Sequence, residues 1–317
     1  MSEKIEEIKA QIARLNQQNK LTETVPLLEQ AAEFTGQEHG KNHPYYAVSL
    51  NDLGTANRTL GQYTAARDNF LKAASILKEV MGKDNEHYAT CINNLAGTYR
   101  LMGEYQKAQD TFLEAKEIYD RTVGKEHFLY ASVLNNLGLV HQDMGNYEQA
   151  EEMHSQALDI IRRTKGEKDF TYATSLNNLA QPYIARGDYA QAEPILLQAT
   201  EIYAEVAGKE HLTYASGLNN LAGLYQKMSR YREAEQLYLQ VLNILEKVVG
   251  REHPDYASTL HNMGLLRENT MDYDKAEQYY SMALDIRRHS LGENHPRYTD
   301  SLDRLAEVRR KKPNLSE

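Results

Sequence analysis

The residues of this chain whose type and spacing could do chemistry are asparagines. They stand in pairs, Asn93-Asn94, Asn135-Asn136, Asn177-Asn178 and Asn219-Asn220, each pair 42 residues after the last. The edges vary, to Asn51-Asp52 at one end and His261-Asn262 at the other. Asparagine is a poor residue for the middle of a helix, because its short amide competes with the backbone for hydrogen bonds. A pattern that repeats such a cost needs a reason. One reason is ligand binding: a carboxamide donates and accepts at once, as a peptide bond does, so a row of them could clamp an extended backbone without selecting its side chains. The other is structural, with the amides bonding to one another between neighbouring repeats. The sequence leaves both open.

Two further series should share that wall, one or two turns along. The first is Thr55, Gly97, Leu139, Gln181, Gly223 and Leu265; the second is Arg58, Arg100, Gln142, Ile184, Gln226 and Glu268. The second series changes from copy to copy, as selectivity for one ligand would require and as an unconstrained surface would also permit. The candidate peptide-binding groove is therefore Asn51, Asn93, Asn94, Asn135, Asn136, Asn177, Asn178, Asn219, Asn220, Asn262, Arg58, Arg100, Gln142, Gln181 and Gln226. Arg58 and Arg100 together suggest an acidic ligand segment towards the N-terminal half.

Other reactive residue types point away from catalysis. His43, His127, His211, His253 and His295 recur at one repeat position, with His87 near it. Equivalent residues of stacked helical repeats stand about 10 Å apart, too far to share a metal whose bonds are about 2 Å long. They are expected to cap helix starts. Cys91 has no neighbouring pattern that would activate a thiolate, so it reads as buried packing. A phosphate-binding glycine loop, a nucleophile elbow, Cys-x-x-Cys and His-Glu-x-x-His are all missing. No enzyme activity, cofactor or metal is expected.

The elements that must position these residues follow from the repeat. Gly82, Gly124, Gly166, Gly208, Gly250 and Gly292 keep the 42-residue spacing, as do Tyr63, Tyr105, Tyr147, Tyr189, Tyr231 and Tyr273. A second tyrosine set runs from Tyr46 to Tyr298. Each unit reads as two helices. In the copy that starts at His127, Tyr130, Leu134, Leu137, Gly138 and His141 form one helical stripe; Tyr147, Ala150, His154, Ala157, Leu158 and Ile161 form the second. The second helix stops near Gly166, where a left-handed cap is expected. No stretch alternates with period two, so no strands are expected. Small residues at Gly54, Ala96, Gly138, Ala180, Ala222 and Gly264, facing Ala66, Ala108, Ala150, Ala192, Ala234 and Ala276, let paired helices approach closely. Pro26, Pro182 and Pro194 fall inside predicted helices, and Pro182 should kink its helix beside Gln181.

The division that results is a degenerate N-terminal capping repeat over 1–42, in which Asn19-Lys20-Leu21 aligns with Gly61-Gln62-Tyr63, six full units over 43–294, and a C-terminal capping helix and tail over 295–317, whose helix from His295 to Arg310 is followed by Lys311-Lys312-Pro313. Repeat arrays need such caps to prevent end-to-end stacking.

The totals agree. Among 317 residues, 41% are hydrophobic, as suits an elongated array, and 26% are charged, so the chain is not disordered by composition. A net charge of −9 without a dominant basic block makes a poor binder of nucleic acid or anionic membrane. The one basic cluster, Arg309-Arg310-Lys311-Lys312, ends the last predicted helix and complements its dipole. The single cysteine excludes an intrachain disulfide. The charged start Met1-Ser2-Glu3-Lys4 lacks a signal-peptide core, and no apolar run is long enough to span a bilayer, so a cytoplasmic location is expected.

The stretch from Leu218 to Tyr225, followed by Tyr231-Arg232-Glu233-Ala234-Glu235, resembles a tetratricopeptide repeat. The 42-residue period and the linker from Gly250 to Ala257 are similar to the kinesin-light-chain variety, which lengthens the usual unit of about 34 residues. The resemblance implies an all-α, right-handed superhelical solenoid of antiparallel helix pairs whose concave wall of first helices binds peptides or protein segments. It also places the second asparagine of each pair at family positions that contact bound peptide. The expected function is a protein- or peptide-binding adaptor or scaffold. A regulatory sensor whose superhelix changes pitch, and a self-associating structural protein, are the alternatives. The partner's identity and the oligomeric state are open.

Overall fold

The computed structural model describes residues 3–18 and 20–312; Asn19 and Pro313 lie outside the described residues. Among those described are fifteen α-helices, one short 3-10 turn at Leu21–Glu23, and no strand. The chain divides into two compact units. The first, Met1–Thr164, holds α1 (Glu3–Gln17), α2 (Thr24–His39), α3 (Pro44–Thr59), α4 (Tyr63–Met81), α5 (Glu86–Leu101), α6 (Tyr105–Thr122), α7 (Phe128–Asp143) and most of α8 (Tyr147–Lys165). The second, Lys165–Glu317, holds α9 (Phe170–Arg186), α10 (Tyr189–Ala207), α11 (Leu212–Lys227), α12 (Tyr231–Val248), α13 (Pro254–Asn269), α14 (Tyr273–Ser290) and α15 (Pro296–Lys311). Odd-numbered helices are the first of each pair. First helices also meet across repeats, α3 with α5 and α5 with α7 in one unit, α9 with α11 and α11 with α13 in the other.

The helix starts explain the histidines. Nδ1 of His43, His127, His211, His253 and His295 accepts the backbone N–H two residues on, at 3.0–3.3 Å. Where the histidine is replaced, Asn85 Oδ1 accepts from His87 at 2.8 Å and Asp169 Oδ1 from Thr171 at 2.7 Å. Each side chain satisfies a donor that the first turn of a helix leaves unpaired.

Close approach rests on the small residues. Ala66, Ala108, Ala150, Ala192, Ala234 and Ala276 are wholly buried. A Cβ added to Gly138 would lie 2.6 Å from the His154 ring, and at Gly264 2.7 Å from the Tyr280 ring, so those helix-interior glycines are required by packing.

Two expectations need correction. Gly40, Gly82 and Gly208, which end second helices, have positive φ but are not left-handed helical: their ψ values are 150°, 172° and 162°, an extended region open mainly to glycine. The left-handed helical conformation occurs instead in the turn within a pair, as at Gly187. Pro26 does not interrupt a helix. The short 3-10 turn delays the start of α2, so Pro26 falls in its first turn, where its missing N–H has no partner to lose. Pro182 and Pro194 do lie inside α9 and α10, each of which is unbroken as a helix.

α15 buries Tyr298, Leu305 and Val308 against Ala276, Tyr280 and Leu284. Its basic end also makes specific ion pairs: Arg309 and Lys312 with Glu277, and Lys311 with Glu268 at 2.7 Å.

Candidate binding face

The asparagine rows are bonded to each other. Asn94 Nδ2 donates to Asn51 Oδ1 at 3.0 Å, and Asn136 Nδ2 to Asn93 Oδ1 at 3.1 Å. In the second unit, Asn220 Nδ2 donates to Asn177 Oδ1 at 3.4 Å, and Asn262 Nδ2 to Asn219 Oδ1 at 3.0 Å. Every bond runs from the second asparagine of one repeat to the first of the repeat before it. The first asparagine also bonds inward: Asn135 Oδ1 to His154 Nδ1 at 3.0 Å, and Asn177 Nδ2 to the Tyr203 hydroxyl at 2.9 Å. The rows therefore tie neighbouring repeats together. Each such bond takes one of two amide hydrogens and one of the acceptor's two lone pairs, so an amide can bond inside the array and outward at once.

The two arginines of the first unit are engaged internally. Arg58 Nη1 donates to the Asn94 carbonyl at 3.2 Å, and its guanidinium lies over the Phe70 ring. Arg100 pairs with Asp143 at 2.8 Å. Burial lowers the pKa of Arg58, and the charge of Arg100 adds to this. Gln142 Oε1 is buried with no hydrogen-bond partner from the protein.

The second unit contains an open cleft of about 350 Å³ over α9, α11 and α13. It brings together Gln181, Asn219, Asn220, Gln226 and Asn262 of the candidate set, with Ile184, Gly223, Lys227 and Leu265. Asn177 and Asn178 are not in its lining. Gln181 Nε2 reaches the Asn177 carbonyl at 3.4 Å. The cleft carries donors, acceptors and apolar surface, the mixture a peptide segment presents.

One of its residues escaped the sequence reading. Tyr238 comes from the second helix α12, is 1% exposed, and its hydroxyl donates to Gln226 Oε1 at 3.2 Å. Gly223 belongs to the wall series named from the sequence, and its surroundings are what the sequence does not show. A Cβ there would meet only the Tyr238 hydroxyl, at an ordinary 3.8 Å, so packing does not require glycine. The available signal was the series Phe70, Phe112, His154, Leu196, Tyr238 and Tyr280, which varies beneath small first-helix residues. Tyr280 repeats the device, donating to Glu268 at 3.1 Å.

Cys91 is buried, its thiol donates to the Phe70 carbonyl at 3.3 Å, and burial pushes its pKa up to about 12, so it is no nucleophile. Among the described residues no group of three or more His, Cys, Asp or Glu side chains could hold a metal ion. No described helix is long and apolar enough to cross a membrane.

The tetratricopeptide repeat family model matches residues 9–79, 57–121, 129–205 and 213–270, and a second tetratricopeptide repeat model matches 257–297. The chain belongs to the tetratricopeptide repeat family. Solved structures show the same fold. A Podosopora anserina protein with nearly identical TPR-like repeats, described as kinesin light chain, is 24% identical over 65% of this chain and 97% of its own, with a TM-score of 0.53. RapI, in its apo form, is 16% identical over 90% of this chain and 98% of its own, with a TM-score of 0.64. A Rap protein complexed with competence and sporulation factor is 14% identical over 98% of this chain and 99% of its own, with a TM-score of 0.56. No curated protein matches the chain. As a tetratricopeptide repeat array, the protein is a protein-interaction scaffold.

Proposed function

We propose that this tetratricopeptide repeat protein is an adaptor without catalytic activity that holds an extended segment of a partner protein along its first-helix wall. The cleft of the second unit is the part of that wall with the clearest site. The observation that carries the reading is Gly223. A glycine in a helix interior costs about 1 kcal/mol relative to alanine, and here no neighbouring atom demands it. Its effect is to open the cleft floor above the Tyr238–Gln226 pair. The asparagines serve the same wall in two ways, fixing the spacing of repeats through their mutual bonds and presenting their remaining hydrogen-bonding capacity to a ligand backbone. The Rap protein complexed with competence and sporulation factor shows that an array of this fold can hold a ligand.

Site-directed cross-linking tests this. A photoreactive phenylalanine analogue is placed at Gln226, in the cleft, or at exposed Leu239 on α12. The partner should be cross-linked from position 226 and not from 239. Equal yields from both, or yield from 239 alone, would place binding on another surface.

A further inference from the structure

The last helix is held on differently from the rest. At the position of Leu77 and Leu245 in earlier repeats, α14 carries Arg287, which is 3% exposed. Its Nη1 donates to the Arg297 carbonyl at 2.5 Å and to Ser301 Oγ at 2.6 Å, both on α15. At the position of the first asparagine, α13 carries His261, also buried. Its Nδ1 lies 3.0 Å from Ser301 Oγ and 3.4 Å from Arg287 Nη1, and its Nε2 lies 3.3 Å from Asp300 Oδ2. Where earlier repeats carry Leu77, Tyr119, Ile161, Tyr203 and Leu245, this junction carries a buried, charged clasp. Such groups hold one arrangement only while every partner keeps its protonation state.

We propose that α15 is a proton-released cap: protonation of His261 undocks it from α13 and α14 while the preceding helices stay folded. The charges around the ring decide the direction. From α14, the Arg287 guanidinium opposes a second positive charge, and the Tyr280 ring packs edge-on at 5.2 Å. From α15, Arg304 opposes it and Asp300 favours it; from α13 itself, Glu268 favours it. Burial acts first and Arg287 next, and together they hold His261 down to about 4. An undocked, solvated His261 returns towards the ordinary value of about 6.5, so docking is fully favoured above that pH and is lost as pH falls towards 4. Lys312 and Arg309 lower the pKa of Glu277, and Lys311 lowers that of Glu307, so these surface carboxylates keep their charge longer than unpaired ones as pH falls.

Hydrogen-exchange protection factors of the full chain, each referred to unstructured peptide at the same pH, test the proposal. Between pH 7 and 4.5, protection over residues 296–311 should fall roughly tenfold or more, ahead of α13 and α14. His261→Asn, which restores the residue type of Asn219, should flatten that dependence. Asp300→Asn, at a half-exposed site, removes the one α15 charge that favours the protonated ring, so it should leave the loss in place. Protection of α15 that tracks α13 and α14 at every pH, an undiminished pH dependence in His261→Asn, or a flattened one in Asp300→Asn would overturn it.

Discussion

At the scale of single residues, the repeats act as controls for one another. Gly138 and Gly223 both sit inside first helices, yet they should respond oppositely to the same change. Gly138→Ala drives a methyl to 2.6 Å from the His154 ring and should cost about 1–3 kcal/mol. Gly223→Ala meets nothing closer than 3.8 Å and should stabilise the helix by up to about 1 kcal/mol. Urea unfolding of the two variants measures the difference; the same sign for both would remove the argument that Gly223 is there for a ligand. His154 gives a pH test. It is fully buried, and desolvation lowers its pKa to about 4. Above pH 6.5 it is neutral in both folded and unfolded chains, and below that only the unfolded chain gains the proton. Stability should therefore fall with pH, by on the order of 2 kcal/mol from this residue at pH 5. His154→Phe, which copies Phe70 and Phe112, should remove that contribution from a pH series of unfolding curves. The tight packing positions were legible because they repeat. Tyr238 was not, because its hydroxyl reaches the wall from a second helix, and a one-dimensional stripe does not show what passes beneath a glycine.

At the scale of elements, helix starts and turns carry most of the local specification. His127→Ala leaves a first-turn N–H of α7 without its acceptor and should cost about 1 kcal/mol, whereas His127→Asn should keep the cap as Asn85 does. Thermal unfolding separates the two. The turn within each helix pair places Gly61, Gly103, Gly145 and Gly187 at φ of 73–81°, but the last two copies put Ser229 and Met271 there at 60°. A side chain strains that conformation, and Met271 is 77% exposed, so it gains little from burial. Met271→Gly should stabilise the protein by about 1 kcal/mol, and an unchanged melting temperature would count against the strain. Capping could be read from spacing alone, since a ladder of histidines about 10 Å apart has no common metal to bind. The positive-φ glycines were legible as punctuation, but their ψ values depend on where the chain goes next, which the pattern does not encode.

At the scale of the whole molecule, an unbroken 42-residue period makes every helix pair the same problem solved again. That is why helix number, order and pairing could be read from one sequence. The wall was less legible. The asparagine rows allowed a binding and a bonding explanation, and the structure shows mutual bonds, each of which takes only part of a carboxamide's hydrogen-bonding capacity. Arg58 and Arg100 looked like an acidic ligand's counter-charge, but their partners, the Asn94 carbonyl and Asp143, come from the next repeat. Such long-range pairings cannot be read from the residues of one unit. The central claim is that the first-helix wall, opened at Gly223, is the binding surface. The most direct measurement selects binders of the native chain from a displayed random-peptide library and compares their affinity for the native chain and for Gly223→Leu, which copies Leu139 and Leu265. The account predicts selected peptides that bind the native chain and lose binding to a variant that melts no lower. Peptides that bind both chains equally would contradict it.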